Sequence, residues 1–159
     1  MRTLYWLDAD VFIQAKNGPY KRVPKFWSFL SHQLELGNLR SPKVVYDEVS
    51  RGDDELASWF VARKEKGLCM NASAAVQSCY GQIGDHVWGG KYRPHQSRDF
   101  LRGGDGWVIA HAMDCKGIVV TQESLRKLRG KIKVPTICKI FEVQCMNTYE
   151  MLDKLKAEL

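Results

Sequence analysis

The chain has 159 residues, a length that fits one domain over residues 1–159 and buries enough surface to fold without staples. Its formal net charge of +6 points to a polyanion or an acidic protein as partner, and no run approaches the roughly 18 apolar residues of a membrane span. Asp8 and Asp10 break any secretory leader, and five cysteines without a CxxC pair suit free thiols in a reducing cytoplasm, not a disulfide framework or zinc knuckle.

Thr3-Leu4-Tyr5-Trp6-Leu7 is a nearly continuous apolar run, the pattern of a strand buried on both faces of a parallel sheet. It ends at Asp8, and Val11-Phe12-Ile13 follows before the breaker Asn17-Gly18-Pro19. Pro24 opens a helix with Phe26, Phe29, Leu30 and Leu34 on one stripe, and Gly37-Asn38 stops it. Ser41-Pro42 predicts a second helix start, with Ser41 as cap and Val45, Glu48 and Val49 on one side, closed by Gly52. Asp53 or Asp54 starts the next, which runs through Arg63 to Gly67, and residues 68–70 suit a short strand. Ser73 caps a helix through Ile83.

Residues 89–104 are polar, basic and without periodicity, and are expected to form a loop. Asp105 opens a helix through Met113, and Gly117 separates it from the strand Ile118-Val119-Val120-Thr121. Lys131 to Val134 alternate like a short exposed strand, Pro135-Thr136 begins a one-turn helix, Glu142 to Cys145 suit an edge strand, and Asn147 caps a last helix. Strands separated by helices make a layered α/β domain the expected architecture.

Acidic residues recur at structured positions. Asp8 and Glu123 follow two apolar strands, at the carboxyl ends where open α/β sheets place their crevice. Asp105 lies at a helix N-terminus, which favours negative charge. Each acid alone suits a helix cap or a solvated position. Brought together, they would raise one another's pKa unless a cation neutralised them. An all-oxygen cluster suits Mg2+ or Mn2+, and phosphodiester hydrolysis is the chemistry that needs such a site.

These segments resemble the PIN-domain ribonucleases, in the uncharacterised PIN-like branch related to toxin subunits of toxin–antitoxin pairs. The resemblance rests on Tyr5 to Ile13, Ser41 to Glu48, Asp105 to Ala112, Val119 to Glu123 and the tail Lys131 to Cys138. It implies a three-layer α/β/α domain with a central, mainly parallel sheet. It also implies a metal held by Asp8, Glu48, Asp105 and Glu123, with Thr121 as a supporting hydrogen-bond donor. Endoribonuclease activity, an antitoxin partner and a homodimer follow from the same resemblance. The chain departs from the family pattern at Asp10 (more often Asn or Ser), at Glu123 (often Asp) and at Gly104-Asp105-Gly106, where Ala-Asp-Pro is usual. The last change predicts a looser setting for Asp105.

Two other classes are open at this level. Asp8 and Asp10 at a strand end also resemble the first motif of haloacid-dehalogenase-like phosphatases, with Asp8 as nucleophile and Asp10 as general acid. Alternatively, the fold serves as a catalytically silent RNA- or protein-binding module. Two basic clusters flank the acids and suit phosphate contacts with RNA: Arg126, Lys127, Arg129, Lys131, Lys133 and Lys139, and Lys91, Arg93, Arg98 and Arg102. Tyr92 and Trp88 are candidates for base stacking. The four histidines form no triad, and His111 lies on the helix that follows Asp105.

Overall fold

The computed structural model describes residues 2–124 and 130–159. In chain order the elements are β1 (Tyr5–Leu7), α1 (Ala9–Asn17), α2 (Pro24–Leu36), β2 (Leu39–Arg40), α3 (Lys43–Ser50), α4 (Glu55–Ala62) and α5 (Ala74–Val87). Then follow α6 (Pro94–Arg102), α7 (Asp105–Cys115), β3 (Ile118–Val120), α8 (Val134–Ile140), β4 (Gln144–Met146) and α9 (Thr148–Lys154). The strands pair in the order β2-β1-β3-β4, all parallel. Helices flank this sheet to give the three-layer α/β/α arrangement expected for a PIN-like domain. No helix among the described residues is long and apolar enough to cross a membrane.

The central strands explain their own composition. All three residues of β1 and of β3 are buried, because helices cover both faces and only apolar side chains avoid a desolvation penalty there. The Trp6 indole stacks on the buried imidazole of His111 in α7, with ring centroids 4.3 Å apart. Burial holds His111 down at a pKa of about 4, so this histidine is a core residue against β1. Its ring is taken by Trp6 and not by the acids. Behind α7, the Tyr80 ring of α5 lies flat on Trp107 at 3.8 Å.

Several expected boundaries are met for the expected reasons. Gly37 ends α2 with φ of 82°, a left-handed conformation that glycine adopts without penalty. Asp54, Ser73 and Asn147 cap α4, α5 and α9 through their side chains. Trp27 and Trp59 meet edge to face at 5.4 Å, half-buried against the core. All five cysteines are free, although of these Cys138 alone is fully buried and Cys115 is exposed.

Other expectations are corrected. Residues 94–102 form α6 and not a loop. Pro94 stands in its first turn, the Gln96 side chain accepts from the Arg93 N–H at 3.0 Å, and Ser97 and Phe100 are its buried side. Residues 131–134 form no strand: Ile132 is buried, and Val134 already begins α8, which has seven residues and not one turn. Residues 68–70 contribute one isolated parallel bridge, Pro42 with Met70.

Ser41 is also corrected, and it matters for the site. The N-cap of α3 is Pro42, without a side-chain cap. The Ser41 hydroxyl instead donates to the Leu7 carbonyl at 2.7 Å in a fully buried setting. It ties the end of β2 to the end of β1, one residue before Asp8. Removing a buried donor leaves that carbonyl poorly satisfied. Ser41→Ala should therefore cost about 1–2 kcal/mol in urea unfolding; an unchanged midpoint would show that the tie contributes nothing.

Candidate active site

Register builds the site. Leu7 faces Val120 across the β1–β3 pair, and the Asp8 N–H donates to the Val120 carbonyl at 3.0 Å. The first residues beyond the two strands, Asp8 and Thr121, therefore stand level. Asp8 is 4% exposed. Its Oδ1 accepts from the Ala9 N–H at 2.8 Å at the start of α1, and its Oδ2 lies 3.3 Å from the Thr121 hydroxyl.

Asp10 is drawn into the same group. The Thr121 hydroxyl lies 3.0 Å from its Oδ2, and the Gln122 N–H reaches both its oxygens at 3.1 and 3.2 Å. Thr121 has one hydroxyl proton for Asp8 and Asp10, and its oxygen accepts in turn from the Glu123 N–H at 3.2 Å. Sequence reasoning had Thr121 as a supporting donor but treated Asp10 as an extra charge. The position of Asp10 in the first turn of α1 was legible, whereas its partners 111 and 112 residues away were not. A free general acid, as the phosphatase alternative requires, is poorly matched by a carboxylate engaged on both oxygens.

Glu123 is held from two sides. Its Oε1 accepts from the Lys131 ammonium at 2.7 Å, and its Oε2 from the Val134 N–H at 2.8 Å, at the N-terminus of α8. The adjacent Gln122 accepts from the Thr148 hydroxyl and N–H at 2.8 and 3.1 Å, which anchors this turn to α9. Lys131, although exposed, thus pairs with an acid, a role no local pattern in the sequence signals. Arg126, Lys127 and Arg129 of the same basic cluster lie outside the described residues.

Asp105 opens α7, and Glu48 reaches toward the turn before it from α3. A Cβ on Gly103 would stand 2.8 Å from Glu48 Oε1, and one on Gly104 would stand 2.6 Å from Val45 Cγ2. Gly106 is similarly close to the Tyr80 ring, at 3.0 Å. The glycines around Asp105 therefore permit close packing, and the expected looser setting is not found. Glu48 is an exposed residue, yet partial burial raises its pKa, while the nearby Gly104 backbone and Arg51 pull it down.

The carboxyls feel one another. Burial, then Asp105, Asp10 and Glu123, push Asp8 well above the usual carboxylate range, with the Ala9 N–H opposing. Asp10 is raised chiefly by burial, against its bonds to Gln122 and Thr121. Asp105 is raised to about 7, first by burial and then by Glu123, with Asp10 and Glu48 adding to it and Lys131 opposing. Asp105 thus links Glu48 to the other three acids. Among the described residues, however, no three acidic, histidine or cysteine side chains are gathered as a ready-made metal cluster. The donor chemistry fits a hard divalent cation, because it is all carboxylate and carries more negative charge than Lys131 offsets.

The profile of the family described as "Domain of unknown function (DUF4411)" matches residues 5–159. The chain belongs to that family. No curated protein matches the sequence. Among solved structures, the chain is similar to VapBC-1 from nontypeable Haemophilus influenzae, with 17% identity, a TM-score of 0.57 and coverage of 91% of this chain and 98% of that one. It is similar to VapBC2 from Rickettsia felis, solved with a DNA fragment from their promoter, at 14% identity and a TM-score of 0.56, covering 91% and 98%. It is also similar to FitAcB from Neisseria gonorrhoeae, at 15% identity and a TM-score of 0.53, covering 92% and 99%. At such identities the likeness is one of fold, and the fold is the PIN-like one expected from the sequence.

The remaining candidates separate by packing. Lys91, Arg93, Arg98 and Arg102 are exposed on or beside α6, which leads directly to Asp105. Trp88 is half exposed. Tyr92 is half-buried and packs near the His86 ring at 6.1 Å, so it is not presented for stacking.

Two outcomes test this geometry. Gly104→Ala should destabilise the protein by about 1–3 kcal/mol, because a branched Val45 cannot yield easily. Gly103→Ala meets only the end of a flexible Glu48 and should be nearly neutral in stability; equal effects in urea unfolding would refute the distinction. The second outcome concerns pH. The folded protein keeps the Asp105 proton up to about 7, whereas the unfolded chain loses it near 3.9. Folding then binds a proton in that window, so stability is greatest at its acid end and falls as pH rises toward 7. Asp105→Asn in EDTA should flatten that fall; an unaltered pH slope would place the titration elsewhere.

Proposed function

We propose that the protein is a metal-dependent endoribonuclease, the toxin of a toxin–antitoxin pair, built as a single PIN-like domain. The observation that carries this is the gathering of acids where β1 and β3 end: the Thr121 hydroxyl lies between Asp8 and Asp10 and accepts from the Glu123 N–H, while Glu48 reaches the turn before Asp105. Asp8, Asp105, Glu48 and Glu123 would hold Mg2+ or Mn2+. When bound, such a cation supplies charge neutralisation and Lewis-acid chemistry suited to phosphodiester hydrolysis.

The chain's own residues do the arranging. The Ala9 N–H and the Thr121 hydroxyl orient Asp8. Thr121 and the Gln122 N–H hold Asp10 beside it, and the Val134 N–H fixes Glu123. Burial of Asp8, with Asp105 half-buried, limits access of bulk water. The exposed cations of α6 suit the backbone of a polyanion without reading its sequence, and half-exposed Trp88 offers an aromatic face for stacking on an unpaired base. Single-stranded or looped RNA fits these features best.

An antitoxin partner and a homodimer belong to the same proposal. Its support is the fold shared with VapBC2, VapBC-1 and FitAcB. A silent binding module on this fold is the rival, favoured by the absence of a ready-made metal cluster among the described residues.

The deciding assay compares purified wild type with Asp8→Asn on a pool of structured RNAs, with Mg2+, Mn2+ or EDTA. Cleavage should require the metal and fall by roughly 10²–10³-fold in the variant, as when a charge-stabilising group is removed. Cleavage that survives both EDTA and Asp8→Asn rejects the mechanism. RNA binding without cleavage by the wild type favours the silent module.

A further inference from the structure

Among the described residues, Lys131 is the lysine whose ion pair joins an acid of the candidate site. Its ammonium lies 2.7 Å from Glu123 Oε1, in an ion pair whose acid side chain is 10% exposed and whose basic side chain is 55% exposed. The other Glu123 oxygen is held by the Val134 N–H. The Lys131 charge also reaches Asp8, Asp10 and Asp105. One cation on the segment leading into α8 thus pairs with Glu123 and offsets the charge of Asp8, Asp10 and Asp105.

The geometry points to Lys131 as the built-in counter-ion of the acidic site, a positioning residue that holds Glu123 when no divalent cation is bound and releases it when one binds. This rests on the metal-site proposal above. The physical ground is competition. A Glu123 oxygen that coordinates a dication at about 2.1 Å while still accepting from Lys131 would place the ammonium within about 5 Å of a double positive charge, where repulsion is strong. The lysine must therefore move, and its long stem and exposed side allow it to do so.

The test titrates Mn2+ alone into the full chain by calorimetry, with thermal unfolding in EDTA alongside. Lys131→Met, which keeps the apolar stem and removes the charge, should bind Mn2+ about tenfold more tightly than wild type. It should also melt at a lower temperature in EDTA and gain more from Mn2+. Lys131→Arg should return both readouts toward wild type. In the wild type itself, Mn2+ should raise acetylation of Lys131 by acetic anhydride relative to Lys139, read by mass spectrometry; this holds even if the Met variant does not fold. Equal or weaker Mn2+ binding by Lys131→Met, or Lys131 acetylation indifferent to Mn2+, overturns the inference while leaving a metal site that Asp8→Asn abolishes. If wild type and Asp8→Asn take up Mn2+ alike or not at all, the metal site itself fails, and the role of Lys131 with it.

Discussion

The level pairing of β1 with β3 is the constraint on which the site depends. Leu7 and Val120 face each other, so both chains leave the sheet at the same height and their next residues meet. Asp8 and Asp10 come from one exit, and Thr121, Gln122 and Glu123 from the other. A slip of one residue would turn every side chain of these short strands to the opposite face, into packing shaped for a different residue. Core packing therefore sets the register, and the register sets the distance between the acids. The Ser41 tie to the Leu7 carbonyl and the Thr121 N–H to the Met146 carbonyl extend the same alignment to both outer strands.

The consequence is a concentration of negative charge where water is scarce. A structure selected for stability alone would not bury Asp8 beside Asp10 and Asp105, because desolvation and mutual repulsion both oppose it. The fold tolerates this through oriented donors. Asp8 meets the first N–H of α1, Glu123 the first N–H of α8, and Asp10 the Gln122 N–H. Helix capping and metal binding are often set against each other as explanations of a strand-end acid. For Asp8 and Asp10 these hydrogen bonds leave the carboxyls raised, because each supplies only part of the compensation that burial demands.

Legibility in the sequence differed between elements for physical reasons. The strands Tyr5–Leu7 and Ile118–Val120 were plain because burial on both faces leaves an unbroken apolar run. Helix α6 was hidden because it buries chiefly Ser97 and Phe100, so its exposed basic side dominates the composition. Residues 131–134 suggested a strand because Ile132 and Val134 alternate with lysines, yet Val134 turns inward as the first residue of a helix. The glycines around Asp105 suggested slack, whereas the space beside them is filled by Val45, Glu48 and Tyr80.

By itself, the sequence determined the layered α/β class, the positions where apolar strands end in acids, and the kinds of ligand available: carboxylates, with no histidine or cysteine cluster. These follow from local pattern and residue chemistry. Tertiary structure alone decided the partner of each carboxyl. Asp10 belongs to Thr121 and Gln122, Glu48 to the turn before Asp105, and Glu123 to Lys131 and the start of α8. The reason is separation along the chain. Thr121 lies 111 residues from Asp10, and it is the packing of the sheet, not a spacing in the sequence, that brings their oxygens together.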